Sequence, residues 1–336
     1  MVKAKKFIYA KAFQGQPKSE NFKLEEFELP ELKDDEVLCE AIFLSVDPYM
    51  RPYMSRFPVG STMIGGQIAK VTNSKHSKFP TGSMIYGDFG WQTHTIFNPE
   101  NLSETFINEP IVLPNFGNLP YSYALGCLGM PGNTAFFGFL EICQPKKGET
   151  VVITGAAGAV GCLVGQIAKI KGCIVVGFAG TDEKCKWLTN ECQFDHAFNY
   201  KTCDITKSLK EAAPNGIDCY FDNVGGEISS TILRQMNLFG RVSVCGSISV
   251  YNENMEDLPK VTIVQPLLLF KQLKMEGFIV SRWKSRFGEG FASMLNWVKE
   301  GKIKYRETVT EGFENMPNAF MEMLNGKNIG KAIVKI

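Results

Sequence analysis

The apolar positions change their rhythm about a third of the way along the chain. Upstream, short apolar runs such as Glu36-Val37-Leu38-Cys39-Glu40-Ala41-Ile42-Phe43-Leu44-Ser45-Val46, Gly65-Gly66-Gln67-Ile68-Ala69-Lys70-Val71 and Ser83-Met84-Ile85-Tyr86-Gly87 read as strands. Phe57-Pro58-Val59-Gly60 and Phe79-Pro80-Thr81-Gly82 punctuate them as turns. Many short strands with few helical periods predict a partly open β-barrel up to about residue 120. From Tyr121 onward helical patterns alternate with strands. Val151-Val152-Ile153-Thr154 feeds a run of small residues, Gly155-Ala156-Ala157-Gly158-Ala159-Val160-Gly161. Val160, Val164, Ile167 and Ala168 then recur at helical spacing, and Cys173-Ile174-Val175-Val176-Gly177-Phe178 is the next strand. A strand–turn–helix–strand unit of about 30 residues is what a right-handed parallel crossover requires.

The alternation continues. A strand is predicted from Phe194 to Tyr200, a helix near 204–213, a strand at Ile217-Asp218-Cys219-Tyr220-Phe221-Asp222, a helix near 227–236 and a strand at Arg241-Val242-Ser243-Val244-Cys245. Gly277-Phe278-Ile279-Val280 reads as a further strand, Phe291 to Lys299 as an amphipathic helix, 316–325 as another helix and Lys331 to Ile336 as a closing strand. The fold class is α/β, a doubly wound parallel sheet of Rossmann type beside the barrel.

Composition narrows the partners. With 336 residues, two domains are expected, and 44% hydrophobic residues suffice for a core in each. A formal net charge of +1 gives no basic field to attract nucleic acid or acidic membranes. No apolar run approaches the roughly 18 residues of a membrane span, and no signal peptide is recognisable. The ten cysteines include no Cys-x-x-Cys pair, so they read as reduced thiols, and a cytoplasmic location is expected.

Ala156-x-Gly158-x-x-Gly161 matches the dinucleotide fingerprint with alanine in the first glycine place. Its helix start offers unpaired N–H groups and a partial positive charge to a pyrophosphate, against the alternative of a tight turn without a ligand. A site for NAD holds the ribose 2′-OH with an acidic residue at the end of the second strand. Here that strand ends in Gly177-Phe178-Ala179-Gly180-Thr181, with Asp182 already in the next helix and Lys184 behind it, which favours NADPH. The three histidines (His76, His94, His196) show no ligand spacing with cysteines, so no metal is expected. Tyr251 closes the loop Cys245-Gly246-Ser247-Ile248-Ser249-Val250 at the carboxyl edge of the sheet, where such folds bind ligands. Its phenol would serve as a proton donor at neutral pH; a packing tyrosine is the alternative. Arg56, flanked by Tyr53-Met54-Ser55 and Phe57, is a candidate partner for a substrate carboxylate, against an ordinary solvated arginine. Met130, before Pro131-Gly132, is a candidate for an apolar substrate wall, against core packing.

Val46-Asp47-Pro48-Tyr49-Met50-Arg51, Gly129-Met130-Pro131-Gly132, Gly158-Ala159-Val160-Gly161, Phe221-Asp222-Asn223-Val224-Gly225-Gly226 and Phe313-Glu314-Asn315-Met316-Pro317 span most of the chain. Through them it resembles the medium-chain dehydrogenases/reductases, and within these the zinc-independent leukotriene B4 12-hydroxydehydrogenase/prostaglandin reductase group. Asp47 stands where the zinc enzymes of that superfamily carry a cysteine, and Gly66-Gln67-Ile68 where they carry Gly-His-Glu. The resemblance implies a GroES-like barrel from residues 1–122 and 308–336, a cofactor domain over 123–307, and a homodimer. It implies an NADPH/NADP+ site drawing on Thr134, Gly158, Ala159, Val160, Gly161, Gly180, Thr181, Lys184, Tyr200 and Asn223. Cys245, Gly246, Ser247, Ile248, Ser249, Tyr251, Phe278, Ile279, Val280 and Asn328 complete that expected set. Tyr251 would lie beside the nicotinamide ribose and the substrate oxygen, and Tyr49 near the substrate cleft. The implied activity is NADPH-dependent reduction of the C=C bond of α,β-unsaturated aldehydes and ketones, with NADP+-dependent oxidation of a 12-hydroxy eicosanoid as a second one. Two readings compete with it: a quinone reductase of the same fold, and a cofactor-binding protein without catalysis.

Overall fold

A computed structural model describes residues 2–102, 109–253, 258 and 260–336. The chain divides into two compact units, Met1–Leu125 with Glu307–Asn328 and Ala332–Ile336, and Gly126–Arg306 with Ile329–Lys331.

The first unit opens with β1 (Lys3–Tyr9) and β2 (Phe22–Glu28), an antiparallel pair. There follow β3 (Val37–Val46), helix α1 (Met50–Met54), β4 (Gln67–Ser74), β5 (Met84–Gly87), β6 (His94–Phe97) and β7 (Ile111–Val112). In the second unit come α2 (Met130–Leu140), β8 (Thr150–Ile153), α3 (Gly161–Ile170), β9 (Ile174–Ala179), α4 (Asp182–Asn190), β10 (His196–Asn199) and α5 (Ile205–Ala212). That unit continues through β11 (Ile217–Asp222), α6 (Gly226–Arg234), β12 (Met236–Val244), α7 (Gln265–Lys271), β13 (Lys274–Gly277) and α8 (Phe287–Lys299). β14 (Glu307–Glu311), α9 (Met316–Leu324) and β15 (Lys331–Lys335) end the chain.

The first unit is a barrel-like sheet in the order β14-β15-β3-β4-β5-β7, with β6 also paired to β3. Alternation along β3 buries Val37, Cys39 and Ala41 and then Leu44 to Val46. One core gathers Leu44, Met50, Met54 and Trp91 with Phe313, Met316 and Phe320, so the C-terminal segment supplies part of the barrel's interior. Trp91 stacks on Phe22 at 5.6 Å and meets Phe320 edge-to-face at 5.7 Å.

In the second unit the order β10-β9-β8-β11-β12-β13 is that of a doubly wound sheet. Pairing from β10 to β13 is parallel throughout. Helices cover both faces, so central strands are apolar on both sides and all four residues of β8 are buried. The strand expected at Gly277–Val280 is displaced: pairing runs over Lys274–Gly277, and a 3-10 helix begins at Val280. The reason is physical. β13 is an edge strand and keeps polar residues, whereas Phe278 is apolar because it packs on α2: a Cβ on Gly138 would meet its ring at 2.2 Å.

Candidate active site

The parallel topology brings the carboxyl ends of β8, β9, β11 and β12 to one edge, and the turn after β8 is the tightest element there. Gly155 takes a positive φ of 59°, and Ala156 N–H then donates to Phe178 O on β9 at 3.0 Å. Gly161 starts α3 against that backbone: a Cβ there would lie 2.4 Å from Gly155 O and 2.8 Å from Ala156 Cα. Ala156, in the first glycine place, is tolerated because Gly177 faces it across the sheet; a Cβ at 177 would come within 3.0 Å of the Ala156 methyl. Ile329–Lys331 adds a strand-like bridge, Gly158 to Gly330, and Gly330 N–H donates to Ala157 O at 2.8 Å. The chain around Gly158, Ala159, Val160 and Gly161 is therefore small, fixed and set at a helix start, which is the form a pyrophosphate needs.

The loop after β11 is organised by the buried Asp222. Its carboxylate accepts from Thr154 Oγ1 (3.1 Å), from the N–H groups of Val224 (2.9 Å) and Gly225 (2.8 Å), and from Ser229 Oγ (2.7 Å). Asn223 is tied to the glycine turn by its amide Nδ2, which donates to Thr154 O at 2.7 Å. The loop after β12 is laced onto the same segment. Cys245 and Gly246 donate to Asp222 O, Ile248 N–H donates to Asn223 O, and Ser249 donates to Val224 O through both N–H and Oγ. Tyr251 folds back over this loop. Ser247 N–H donates to its phenol oxygen at 3.4 Å, and a Cβ on Gly246 would sit 3.0 Å from that oxygen. Burial, with Asp222 adding to it, pushes the Cys245 thiol up to about 12, so it remains neutral.

At the end of β9 a cationic corner forms. Thr181 caps α4, its Oγ1 accepting Lys184 N–H at 3.3 Å. A Cβ on Gly180 would contact the Tyr200 ring and hydroxyl at 3.4 Å and Lys201 Cε at 3.6 Å. Burial first, and then the Lys201 ammonium, lower the Lys184 pKa, with Glu183 opposing them. Asp182 is engaged with Asn199 Nδ2 at 2.8 Å. The corner thus joins Gly180, Thr181, Lys184 and Tyr200 and adds Lys201, which the sequence reading missed. Its only advance signal is topological: β10 lies beside β9, so the residues following both strands share an edge.

The other expected residues lie on further elements, and Phe278 N–H donates to Val244 O at the end of β12 at 3.4 Å. Thr134 is buried on α2 with its hydroxyl donating to Met130 O at 2.8 Å, and Met130 is the first residue of that helix. Phe278 stacks edge-to-face on Trp283 at 5.3 Å, and of the three residues 278–280 only Ile279 is strongly exposed. In the first unit, Tyr49 precedes α1 and meets Tyr53 edge-to-face at 5.5 Å. Arg56 is exposed, its guanidinium over the Tyr53 ring at 4.4 Å. The buried guanidinium nearby is that of Arg51, which donates to Gly15 O. Asn328, half-buried, directly precedes the segment that bridges to the glycine turn. Among the described residues no three of His, Cys, Asp and Glu are placed to hold a metal ion. His76 faces Glu100 at 3.4 Å, His94 faces Glu40 at 3.9 Å, and His196 stacks on Phe198.

The family described as N-terminal domain of oxidoreductase matches residues 5–105, and that described as Zinc-binding dehydrogenase matches residues 159–299. Prostaglandin reductase 1 of Bos taurus is 51% identical over 337 residues, covering 100% of both chains. The 2-alkenal reductase (NADP(+)-dependent) of Nicotiana tabacum is 38% identical, covering 100% of this chain and 98% of that one. Among solved structures, CurA from Vibrio vulnificus in complex with NADPH superposes with a TM-score of 0.90 at 39% identity, over 98% of each chain. The chain belongs to the zinc-independent medium-chain dehydrogenases/reductases, in the prostaglandin reductase group.

Proposed function

We propose that the chain is an NADPH-dependent reductase of the C=C bond of α,β-unsaturated aldehydes and ketones. The observation that carries this is full-length identity of 51% to a prostaglandin reductase, in a chain whose sheet edge joins a glycine turn to a lysine corner. The residues present fit NADPH. The small turn Gly158 to Gly161 suits its pyrophosphate, and Lys184, Lys201, Tyr200 and Thr181 suit its 2′-phosphate, while Asp182 beside them already accepts from Asn199 Nδ2.

NADPH, when bound, supplies the hydride that reduces the β-carbon. The protein holds the negative charge that develops on the carbonyl oxygen, and Tyr251 is the group assigned to donate a hydrogen bond there. Gly246, Asn223 and the laced loops fix where that phenol sits. Tyr49, Arg56 and Met130 are assigned to substrate, and the closed polar networks of Asp222 and Thr154 keep the loops preorganised.

A homodimer and a cytoplasmic location form part of the same reading. β13 is an edge strand carrying Lys274 and Glu276 on one face. Two copies paired antiparallel through Met275 would set each Lys274 against the other's Glu276, which favours self-association. The ten cysteines are all free thiols, as suits a reducing compartment, and no described helix is long and apolar enough to cross a membrane.

The test is NADPH consumption across a panel of enals, 15-keto eicosanoids and quinones. Fastest turnover with an enal or enone is expected, and exclusive turnover of quinones would overturn the assignment.

A further inference from the structure

Three chain segments meet at one edge of the barrel-like sheet. β3 leaves it at Val46 into Asp47-Pro48-Tyr49, β4 enters it after Gly65-Gly66, and β5 ends at Gly87 before Asp88. Antiparallel pairing places them together, since Leu44 lies opposite Gln67 and Gln67 opposite Gly87. At this edge the half-buried Tyr86 donates its hydroxyl to Asp88 Oδ1 at 2.7 Å. A Cβ on Gly66 would lie 2.7 Å from the Tyr86 oxygen and 3.0 Å from its ring. Glycine at 66 is therefore what admits the phenol.

A phenol has one proton to give, and Tyr86 gives it to a carboxylate. Burial, the Asp88 carboxylate and the neighbouring Tyr49 all disfavour ionisation of Tyr86, so the O–H stays intact. Its oxygen then presents only lone pairs to anything else that approaches. A group that meets it favourably must bring a donor. A carbonyl or an ether oxygen would face it lone pair to lone pair. On the same edge stands Tyr49, which burial and then the Asp47 carboxylate likewise keep protonated.

We infer that Tyr86, oriented by Asp88 and admitted by Gly66, is a specificity-determining residue that favours unsaturated aldehydes and ketones carrying a hydroxyl group over their deoxy counterparts. This rests on the reading of the chain as an enone reductase with Tyr49 facing substrate. Asp88 acts as a positioning residue, setting the direction of the phenolic proton.

The experiment compares kcat/KM for a 4-hydroxy-2-alkenal and the 2-alkenal of equal chain length, in the full-length enzyme with NADPH. Tyr86→Phe is expected to lower the ratio of hydroxylated to deoxy substrate roughly tenfold, the scale of one hydrogen bond in a desolvated site. Asp88→Ala removes the acceptor that fixes the phenolic proton; a substrate hydroxyl can still meet the freed phenol as donor or acceptor, so the ratio should fall by a smaller factor than in Tyr86→Phe. If Tyr86→Phe also loses NADPH binding, the substitution has disturbed the fold, and the Asp88→Ala ratio decides. Unchanged ratios in variants that still reduce both substrates overturn the inference and leave the reductase assignment standing. A wild-type enzyme that reduces neither substrate overturns that assignment, and the inference with it.

Discussion

The Asp222 carboxylate accepts the Thr154 hydroxyl at 3.1 Å, joining the ends of two neighbouring strands just where they lead into the glycine turn and the Asn223 loop. Thr154 is fully buried and Asp222 nearly so, and the same carboxylate also holds two backbone N–H groups and Ser229. The pair is the knot from which the glycine turn and the Asn223 loop are hung.

Removing that knot should cost stability as well as binding. Asp222→Ala leaves Thr154, two N–H groups and Ser229 without their acceptor in a buried place. A loss of about 3 kcal/mol is expected, since each hydrogen bond to a charged group is worth about 1.5–3 kcal/mol before relaxation. Urea denaturation at neutral pH measures it. A change under about 0.5 kcal/mol, the size of an ordinary surface substitution, would show that water replaces the carboxylate.

The two glycines that flank the start of α3 should not be equally sensitive. At Gly161 a methyl would press on backbone at 2.4 Å and 2.8 Å, and backbone cannot swing aside. At Gly158 the nearest atom is Gly155 O at 3.3 Å, which small shifts relieve. Gly161→Ala is therefore expected to weaken NADPH by at least about tenfold in a fluorescence titration, and Gly158→Ala by less. The reverse order would mean that the phosphates themselves, and not the turn, need the space at 158.

Lys184 and Lys201 should set the preference for NADPH over NADH. Lys184→Ala or Lys201→Ala is expected to raise the apparent KM for NADPH roughly tenfold, the scale of one charge-assisted hydrogen bond, and to leave that for NADH nearly unchanged. The lowered pKa of Lys184 adds a pH signature. A lysine with a depressed pKa loses its proton earlier as pH rises, and the neutral amine holds phosphate less well. NADPH affinity should thus begin to decline relative to NADH at a lower pH than that at which an ordinary lysine titrates, about 10.4. Equal weakening of both cofactors would point to the fold and not to the phosphate.

How much of this was legible beforehand depended on whether a residue's role is local or tertiary. The turn from Gly155 to Gly161 is written in one stretch of small residues between a buried strand and a buried helix. Asp182 was rightly placed in the first turn of a helix, because Thr181 before it is a capping residue. Lys201 was missed because nothing in Tyr200-Lys201-Thr202 marks it; only the pairing of β10 with β9 brings it to Gly180. The misplaced strand at Phe278 shows the same limit from the other side. The apolar Phe278 there is explained by Gly138, far away in sequence, and by Trp283 on the following 3-10 turn, and the true edge strand is too polar to stand out. Helix α7 was not anticipated either, since Leu269 and Phe270 are 70% and 76% exposed and blur the division into faces.

Tyr251 is the sharpest test of the chemistry. Its hydrogen bond to the carbonyl oxygen would strengthen as negative charge develops there, so its effect belongs to the transition state and to kcat. Tyr251→Phe keeps the ring and removes the donor. Loss of one donor of this kind typically costs about 10²-fold, and since a ribose hydroxyl of the cofactor can share the role, roughly 10- to 100-fold is expected. NADPH affinity should change little. The loop itself supplies a second handle, because a methyl at Gly246 would come within 3.0 Å of the phenol oxygen. Gly246→Ala should therefore displace the hydroxyl while leaving it present, and lower kcat in the same direction by a smaller factor. Unchanged kcat on an enone in Tyr251→Phe would remove the phenol from the reaction. A proportional loss of NADPH affinity would instead make Tyr251 a positioning residue, acting through the Ser247 N–H that it accepts at 3.4 Å.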